Sequence, residues 1–402
     1  MRPNATRPWD VVLWGATGFT GRLVAEALAA GAPDGLRWAL GGRDAERLER
    51  LRTGLGVDAG VVVADADDPA SLAALARSTR VVASTVGPYA RHGTPLVAAC
   101  VEAGTHYADL TGEVTWMRAS VDAFHEAARA SGAKIVHACG FDSVPSDLGL
   151  WWLQRQAVAR HGRPCDRVVH GFGPMAGGFS GGTVASALAM VEAAVADPGV
   201  RRALADPDLL APGGVASPRG RRPWWPHFDG DLAAWTAPFF MAGVNERVAR
   251  RTRALLGEPW GAGFRYEECW RARGWPEAAA VSLAVVARPA LLAIGPLRRW
   301  AARRILPRPG EGPSAEARAR GFFRTRLVGR VDGVAAPVVM RLGCDLDPGY
   351  GATALMLREA ALSLALDDLG AEGGVLTPAV AFGERLLARL QRAGFRFEIE
   401  EG

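Results

Sequence analysis

A glycine-rich segment near the start of the chain holds the clearest chemical motif in the sequence. It reads Gly15-Ala16-Thr17-Gly18-Phe19-Thr20-Gly21, and its glycines have the spacing GxxGxxG. In a dinucleotide-binding turn, the first glycine permits a tight turn, the second lets the backbone approach the pyrophosphate, and the third lets helix and strand pack closely. The following helix offers unpaired N–H groups to the anion. We therefore predict cofactor contacts from this segment, namely from Gly15, Thr17, Gly18, Phe19, Thr20 and Gly21.

An arginine stands where many dinucleotide-binding chains carry an acid. NAD-binding proteins usually place a carboxylate about 20 residues past the glycine turn, where it holds the ribose 2′-hydroxyl. Here the second apolar run ends in Gly41-Gly42-Arg43. A guanidinium suits a 2′-phosphate, so Arg43 favours NADP(H) over NAD(H). The alternative interpretation of Arg43 is a solvated loop residue.

Two further positions are candidates for cofactor contacts. Asp65 follows the third apolar run and is placed to accept a hydrogen bond from the adenine amino group; the alternative is a turn aspartate. The fourth run ends in Ser84-Thr85-Val86-Gly87-Pro88. The nicotinamide ribose should lie at the carboxyl end of that strand, so we predict that Thr85, Gly87 and Pro88 contact it.

The proton donor is less clearly marked. Lys134 is the only lysine, and Ala130 stands where a Tyr-x-x-x-Lys pair would need its tyrosine, which excludes the short-chain reductase mechanism. The predicted catalytic residues are therefore Tyr107, Asp142 and Ser143. A packed strand tyrosine is the alternative for Tyr107. For Asp142 the alternative is a turn residue, with Ser146 or Asp147 capping the next helix.

Substrate contacts are predicted from two places. Tyr89 follows the fourth strand and its Gly-Pro turn. Ser180, Gly181, Gly182 and Thr183 lie where a strand gives way to a helix, and their backbone N–H groups could face a carboxylate, thioester oxygen or phosphate. A capped helix start is the alternative for the second place.

Short apolar runs alternate with helical patterns through the first third of the chain, and this rhythm is typical of βαβ units. The fold class is therefore predicted as α/β: an N-terminal Rossmann domain with a doubly wound parallel sheet, and a second α+β domain built on a mainly antiparallel sheet. The predicted domain boundaries are 1–147 for NADP binding, 148–375 for substrate binding or dimerisation, and 376–402 for a C-terminal helix and strand.

Composition limits the class of protein. The chain has 402 residues, a formal net charge of +5 and interleaved charges, unlike the concentrated basic stripe of a nucleic-acid-binding protein. Its five cysteines are scattered without a CxxC motif, so neither a disulfide framework nor a metal site is predicted. With no apolar leader segment and no clean apolar stretch of about 20 residues, a cytoplasmic location is expected.

The apolar segment 278–305 is the exception to this pattern. It is interrupted by Arg288-Pro289 and ends in a cluster of arginines and Trp300. The interpretations left open are the lining of an acyl pocket, a homodimer interface, a core helix with a solvated basic end, and a helix in peripheral contact with a membrane.

Several motifs together resemble the saccharopine dehydrogenase-like oxidoreductases, and more closely the trans-acting enoyl reductases of polyketide and lipid synthesis. The segments that carry the resemblance are 15–21, 86–89, 107–113, 139–147, 180–183 and 347–353. The most specific is Gly140-Phe141-Asp142-Ser143-Val144-Pro145-Ser146-Asp147. The resemblance implies an NADP-type Rossmann domain followed by a substrate domain, and it leaves the reaction open.

The predicted function is NADPH-dependent reduction of an enoyl group on a lipid-like or polyketide-like acyl substrate, free or carrier-bound. Hydride would reach the β-carbon, and a donor such as Tyr107, or water, would protonate the α-carbon. One alternative is a non-catalytic NADP-binding protein that docks on a membrane or partner. Another is reductive amination of a 2-oxo acid, as in saccharopine formation.

Overall fold

The computed structural model describes residues 7–177, 181–211, 213, 218, 224–257, 259–295 and 312–400, with side chains described except at 181–187 and 288–293. Two seven-stranded sheets organise these residues. The first sheet is parallel throughout, as predicted, with the strand order β13-β6-β5-β4-β1-β2-β3. Its strands are β1 Trp9–Trp14, β2 Trp38–Gly42, β3 Gly60–Val63, β4 Thr79–Ser84, β5 His106–Asp109, β6 Lys134–Val136 and β13 Gly374–Leu376.

Five helices cross over between the first six strands. They are α1 Phe19–Gly31, α2 Ala45–Leu55, α3 Pro69–Ser78, α4 Tyr89–Ala103 and α5 Val114–Ser131. Local sequence sets several of their ends: Asp44 caps α2 and Asp68 caps α3, each accepting a backbone N–H. Gly104 and Gly132 end α4 and α5 in the left-handed conformation that glycine adopts without strain.

The register brings the carboxyl ends of the central strands side by side. Trp14 lies between Gly41 of β2 and Ser84 of β4, and Ser84 is paired with Asp109 of β5. The chain moves outward from β1 in opposite directions, to β2 on one side and to β4 on the other. This is the topological switch point at which α/β proteins bind their ligands.

The second sheet is mainly antiparallel, as predicted, with only β7 and β10 running parallel among its paired strands. Its order is β14-β12-β11-β7-β10-β9-β8. The strands are β7 Arg167–Ala176, β8 His227–Asp229, β9 Ala234–Pro238, β10 Arg265–Ala272, β11 Phe322–Arg330, β12 Val338–Cys344 and β14 Arg396–Ile399. The predicted terminal strand is thus part of this sheet, where it pairs with β12.

Nine helices follow β6 within the described residues. They are α6 Val144–His161, α7 Gly181–Ala196, α8 Pro198–Ala205, α9 Ala242–Leu255, α10 Trp275–Ala293, α11 Ala315–Ala319, α12 Thr353–Leu366, α13 Pro378–Phe382 and α14 Glu384–Arg392, with a π-helical turn at Pro348–Ala352. Of these, α6 and α12 to α14 lie on passages between the two sheets, while α7 to α11 lie between strands of the second sheet. Helix α12 packs on α1 and on strands β1, β4 and β5 of the first sheet. In the part of the chain that the structure describes, no helix has the length and apolarity needed to cross a membrane.

The C-terminal part of the chain also completes the first sheet. Strand β13 pairs in parallel with β6, Gly374 opposite Lys134 and Leu376 opposite Val136. This strand was not predicted, because three residues are too few to show a strand pattern in the sequence. The first sheet therefore includes residues far beyond 147.

Candidate active site

The three glycines of the first turn have three distinct roles. Gly15 has a φ of +85°, and a β-carbon there would lie 2.8 Å from Thr85 Oγ1. A β-carbon on Gly21 would overlap the carbonyl group of Gly15, so this glycine permits close packing of α1 on β1. A β-carbon on Gly18 would have only the Gly15 carbonyl oxygen nearby, at 3.3 Å. Gly18 is exposed, so a side chain added at this position would extend into space that a ligand could occupy.

The first turn is fastened to the end of β4. Thr85 donates its backbone N–H to the carbonyl of Trp14 at 3.0 Å, and its hydroxyl donates to the carbonyl of Gly15 at 3.2 Å. Beside it, helix α1 has neither a capping side chain nor an acidic residue in its first turn. These features leave N–H groups at the N-terminus of α1 available to an anion, and they fit the pyrophosphate of a dinucleotide.

Arg43 and Asp65 lie at the ends of β2 and β3. Arg43 is exposed, and its guanidinium has no hydrogen-bond or ion-pair partner among the described residues. The neighbouring Asp44 accepts the N–H of Arg47 at 3.0 Å and so caps α2. Asp65 accepts the N–H of Asp67 at 3.0 Å, a bond typical of the turn aspartate that was the alternative to an adenine contact. The contacts of Arg43 and Asp65 with the cofactor remain predictions.

Tyr89 and Glu113 join the ends of β4 and β5. The Tyr89 hydroxyl donates to the carbonyl of Ser84 at 3.2 Å and accepts the N–H of Leu110 at 3.3 Å. The Glu113 carboxylate accepts the N–H groups of Tyr89 at 2.9 Å and Ala90 at 2.8 Å, which fills the N-terminus of α4. Tyr89 is buried, and its hydroxyl is engaged within the protein. Capping by Glu113 was not predicted, because the two segments are far apart in sequence.

A buried Asp109–His137–Ser120 chain lies next to these residues. His137 Nδ1 is 2.8 Å from Asp109 Oδ2, and its Nε2 is 2.9 Å from Ser120 Oγ. The other Asp109 oxygen accepts the N–H groups of Thr111 and Ala138. All three side chains are almost completely buried, so a substrate does not reach the serine. We interpret these hydrogen bonds as a support that holds the ends of β5 and β6. They were not predicted, because the three residues have no characteristic spacing in the sequence.

The structure places Tyr107 in the core instead of the cleft. Its side chain has no exposed surface, and its ring meets that of His137 edge-on at 6.1 Å between centroids. Burial raises the pKa of the Tyr107 hydroxyl well above its ordinary value. This position corresponds to the packed strand tyrosine that was the alternative to a catalytic role. Alternation along β5 directs residue 107 away from the layer that faces the second sheet.

Ser143 is also buried, but its side chain is part of a series of hydrogen bonds between polar side chains. Its hydroxyl donates to Asn245 Oδ1 at 3.1 Å, and Asn245 Nδ2 donates to Glu268 Oε2 at 2.9 Å. The bond to Glu268 sets the orientation of the Asn245 amide, so the Ser143 proton points towards Asn245. Burial raises the pKa of Glu268 to about 7. Asn245 and Glu268 lie in the second half of the chain, with no motif to indicate them.

Asp142, the residue before Ser143, differs from the neighbouring acids in its contacts within the described residues. It is partly exposed, and no donor or cation contacts its carboxylate among the described residues. Burial raises its pKa to about 6. Burial is the largest cause that raises the pKa of Tyr89, and the charges of Asp109, Glu113 and Asp142 raise it further.

Asp147 has a different role from Asp142. It is fully buried, and burial raises its pKa to about 7. One of its oxygens accepts from the hydroxyl of Thr252, and the other accepts the N–H of Ala379 at 2.8 Å. Asp147 therefore caps α13 from a distance and does not cap its own helix, whose N-cap is Ser143.

The predicted oxyanion segment lies partly outside the described residues. Ser180 is not among them, and the side chain of Thr183 is not described. The backbone of Gly181, Gly182 and Thr183 forms the first turn of α7, so this segment is the start of a helix as predicted. Substrate binding by this segment remains a prediction.

The parallel sheet, its switch point and the glycine turn define a Rossmann-type oxidoreductase, and the comparison with known families identifies its cofactor. Residues 11–136 match the saccharopine dehydrogenase NADP-binding domain. The prediction of NADP(H) is thereby confirmed, and the protein is an NADP-dependent oxidoreductase.

Relatives of similar length identify the family. A putative trans-acting enoyl reductase of Mycobacterium tuberculosis is 45% identical over 96% of each chain. The trans-acting enoyl reductase of Mycobacterium leprae is 41% identical over 98% of each chain. This chain belongs to the family of trans-acting enoyl reductases. Yeast saccharopine dehydrogenase has a similar fold, with a TM-score of 0.52 at 12% identity over 98% of this chain and 99% of the yeast chain.

Proposed function

We propose that the protein reduces the carbon–carbon double bond of an α,β-unsaturated acyl group that is carried by a separate synthase. The observation that carries this proposal is the identity of 41–45%, over nearly the whole chain, to relatives named trans-acting enoyl reductases. The word trans-acting in those names supports an acyl group delivered on a carrier. The switch point supports the proposal because its residues fit a dinucleotide beside a partly exposed acid.

Bound NADPH supplies hydride to the β-carbon in this reaction. The α-carbon must then receive a proton, and we propose Asp142 as its donor. Its carboxyl group has no partner among the described residues, and its pKa is raised to about 6 by burial. A raised pKa leaves part of the population protonated near neutral pH, as a general acid requires. Tyr107 is buried in the core, and the proton of Ser143 points to Asn245.

The test is NADPH oxidation with enoyl thioesters, both carrier-bound and on a small thiol. A saturated acyl product, with deuterium at the β-carbon when the cofactor carries deuteride, would support the proposal. Turnover of a 2-oxo acid with an amino acid, and none of the enoyl substrates, would replace it with saccharopine-type reductive amination. A Gly18→Val variant serves as the control that lacks bound cofactor.

We further propose that the outer face of α10 contacts the acyl chain or a second copy of the protein. Ala278 is buried on this helix, which packs on β9, while Leu283 is 69% and Val286 45% exposed. Trp225 and Phe228 also expose most of their side chains, and Phe228 lies on the edge strand β8. Such exposed apolar groups mark a contact surface when they form a contiguous patch.

Changing Leu283 and Val286 together to serine tests this surface. A KM increase for long-chain but not short-chain substrates would support acyl contact, and dissociation on dilution would support a dimer interface. Loss of sedimentation with anionic vesicles, without either effect, would support the membrane interpretation instead. Each lost apolar contact with a substrate should cost roughly 1–3 kcal/mol.

A further inference from the structure

A second arginine lies at the glycine turn, and it comes from the other half of the chain. The guanidinium carbon of Arg318, on the short helix α11, lies 5.7 Å from the centroid of the Phe19 ring. Phe19 is the first residue of α1 and directly follows Gly18. The charge of Arg318 therefore lies against the side chain of the first residue of the helix that should receive the pyrophosphate.

The Phe19 ring gives Arg318 a defined position. Tyr350 meets the ring edge-on, with 4.9 Å between centroids. A β-carbon on Gly312 would overlap the ring, so the backbone of Gly312 also lies close to it. The guanidinium of Arg318 donates from Nη1 to the carbonyl of Pro313 at 2.9 Å. Contact with an aromatic ring and one backbone bond restrict the side chain without neutralising it.

The positive charge of Arg318 has only one acidic group acting on it among the described residues, the exposed Glu316 two residues earlier on α11, and the two form no ion pair. Within the described ranges, Arg318 forms no ion pair and its other N–H groups have no acceptor. The first turn of α1 contains no acid, and its N-cap is Gly18. At α4, by contrast, the protein supplies its own carboxylate from Glu113. A guanidinium and an open helix N-terminus side by side favour a phosphate group between them.

We propose that Arg318 binds the pyrophosphate of NADP(H) and so covers the glycine turn from the side of the second sheet. This role differs from that predicted for Arg43, which lies at the end of β2 and would contact the 2′-phosphate. The pyrophosphate is common to NADPH and NADH, whereas the 2′-phosphate is not. The two arginines therefore have separable effects on cofactor binding, and the proposal does not depend on which substrate is reduced.

The experiment compares the variants Arg318→Met, Arg318→Lys, Arg43→Gln and Arg320→Gln by fluorescence titration with NADPH and NADH. Arg318→Met should weaken both cofactors by a similar factor, roughly ten-fold or more, as expected for loss of a charged hydrogen bond. Arg43→Gln should weaken NADPH alone. Arg320→Gln, an exposed arginine at the end of the same helix, should change neither.

Inorganic pyrophosphate provides a second probe, because it should compete with NADPH in the wild type more strongly than in Arg318→Met. Arg318→Lys keeps the charge and should bind both cofactors more tightly than Arg318→Met does. Equal losses in the methionine and lysine variants would assign the effect to packing against Phe19 and overturn the proposal. Unchanged binding of both cofactors, or a loss with NADPH alone, would also overturn it.

Discussion

The backbone N–H of Phe141 donates a hydrogen bond to Thr353 Oγ1 at 3.1 Å, across 212 residues of sequence. The Thr353 hydroxyl in turn donates to the carbonyl of Pro348 at 2.8 Å. A β-carbon on Gly140 would lie 3.0 Å from Thr353 Cγ2, so only glycine fits comfortably beside this threonine. The two family motifs 140–147 and 347–353 therefore form one structure next to Asp142.

Thr353→Val should destabilise the protein, because it leaves the buried N–H of Phe141 without a partner. The expected loss in the free energy of unfolding is about 1–3 kcal/mol, measured by urea denaturation. Thr353→Ser keeps the hydroxyl and should recover most of this loss. If valine and serine have the same effect, the hydrogen bond is not the cause.

Arg43→Ala should weaken NADPH binding by about 1.5–3 kcal/mol, the scale of a hydrogen bond to a charged group. NADH binding should stay the same, since NADH lacks the 2′-phosphate. Fluorescence titration of both cofactors measures the two effects. Equal or tighter binding of NADH by the wild-type protein would contradict the assignment of Arg43.

Gly18→Val and Gly21→Val should differ in what they disrupt. A side chain on Gly18 enters the space of the pyrophosphate, so cofactor binding should be lost while the melting temperature of the cofactor-free protein changes little. A side chain on Gly21 overlaps the Gly15 carbonyl, so the fold itself should be destabilised. Thermal melting and NADPH titration of both variants check the contrast, and cofactor binding by Gly18→Val would show that the segment is only a turn.

Asp142→Asn should lower kcat without changing NADPH binding. The wild-type rate should fall as the pH rises through about 6, because only the protonated carboxyl donates. The asparagine variant should lack this dependence. This pH dependence is measured as kcat from about pH 5 to about pH 8 with a saturating enoyl thioester, a range wide enough to define one ionisation. An unchanged profile in the variant would exclude Asp142 as the donor.

The same variant should be more stable than the wild type at neutral pH. Burial raises the pKa of Asp142 from 3.8 to about 6, so the folded state holds a proton that the unfolded state releases between these values. The free energy of unfolding therefore falls as the pH rises through this range, and the loss is complete above it. The melting temperature of Asp142→Asn should exceed that of the wild type at neutral pH, and the difference should shrink towards pH 4.

The sequence allowed prediction of the parts of the site that depend on local pattern. The glycine turn and the parallel order of strands follow from spacing and periodicity, and the structure has both. Asp142 was distinguished from Asp147 only by the structure, since the two differ in their distant partners. Tyr107 was misplaced because strand register, which decides the face of a side chain, depends on neighbouring strands.

Hydrogen bonds between distant segments could not be predicted, because they leave no pattern in the sequence. Glu113 caps α4, Asp109 holds His137, and Asn245 holds Ser143, yet none of these pairs has a characteristic spacing. The three-residue strand β13 was missed for a related reason, because its pairing with β6 is its main distinguishing feature.

The return of the chain to the first sheet has a consequence for how this protein could be divided or recombined. A fragment ending at residue 147 would leave β6 as an exposed edge strand, paired only with β5, and would uncover the apolar surface on which α12 packs. The cofactor-binding segment up to residue 147 therefore does not contain all of the strands and helices on which its sheet depends. Exchanging it between relatives would require the segments around 353–366 and 374–376 to be exchanged with it, although they lie more than half the chain away.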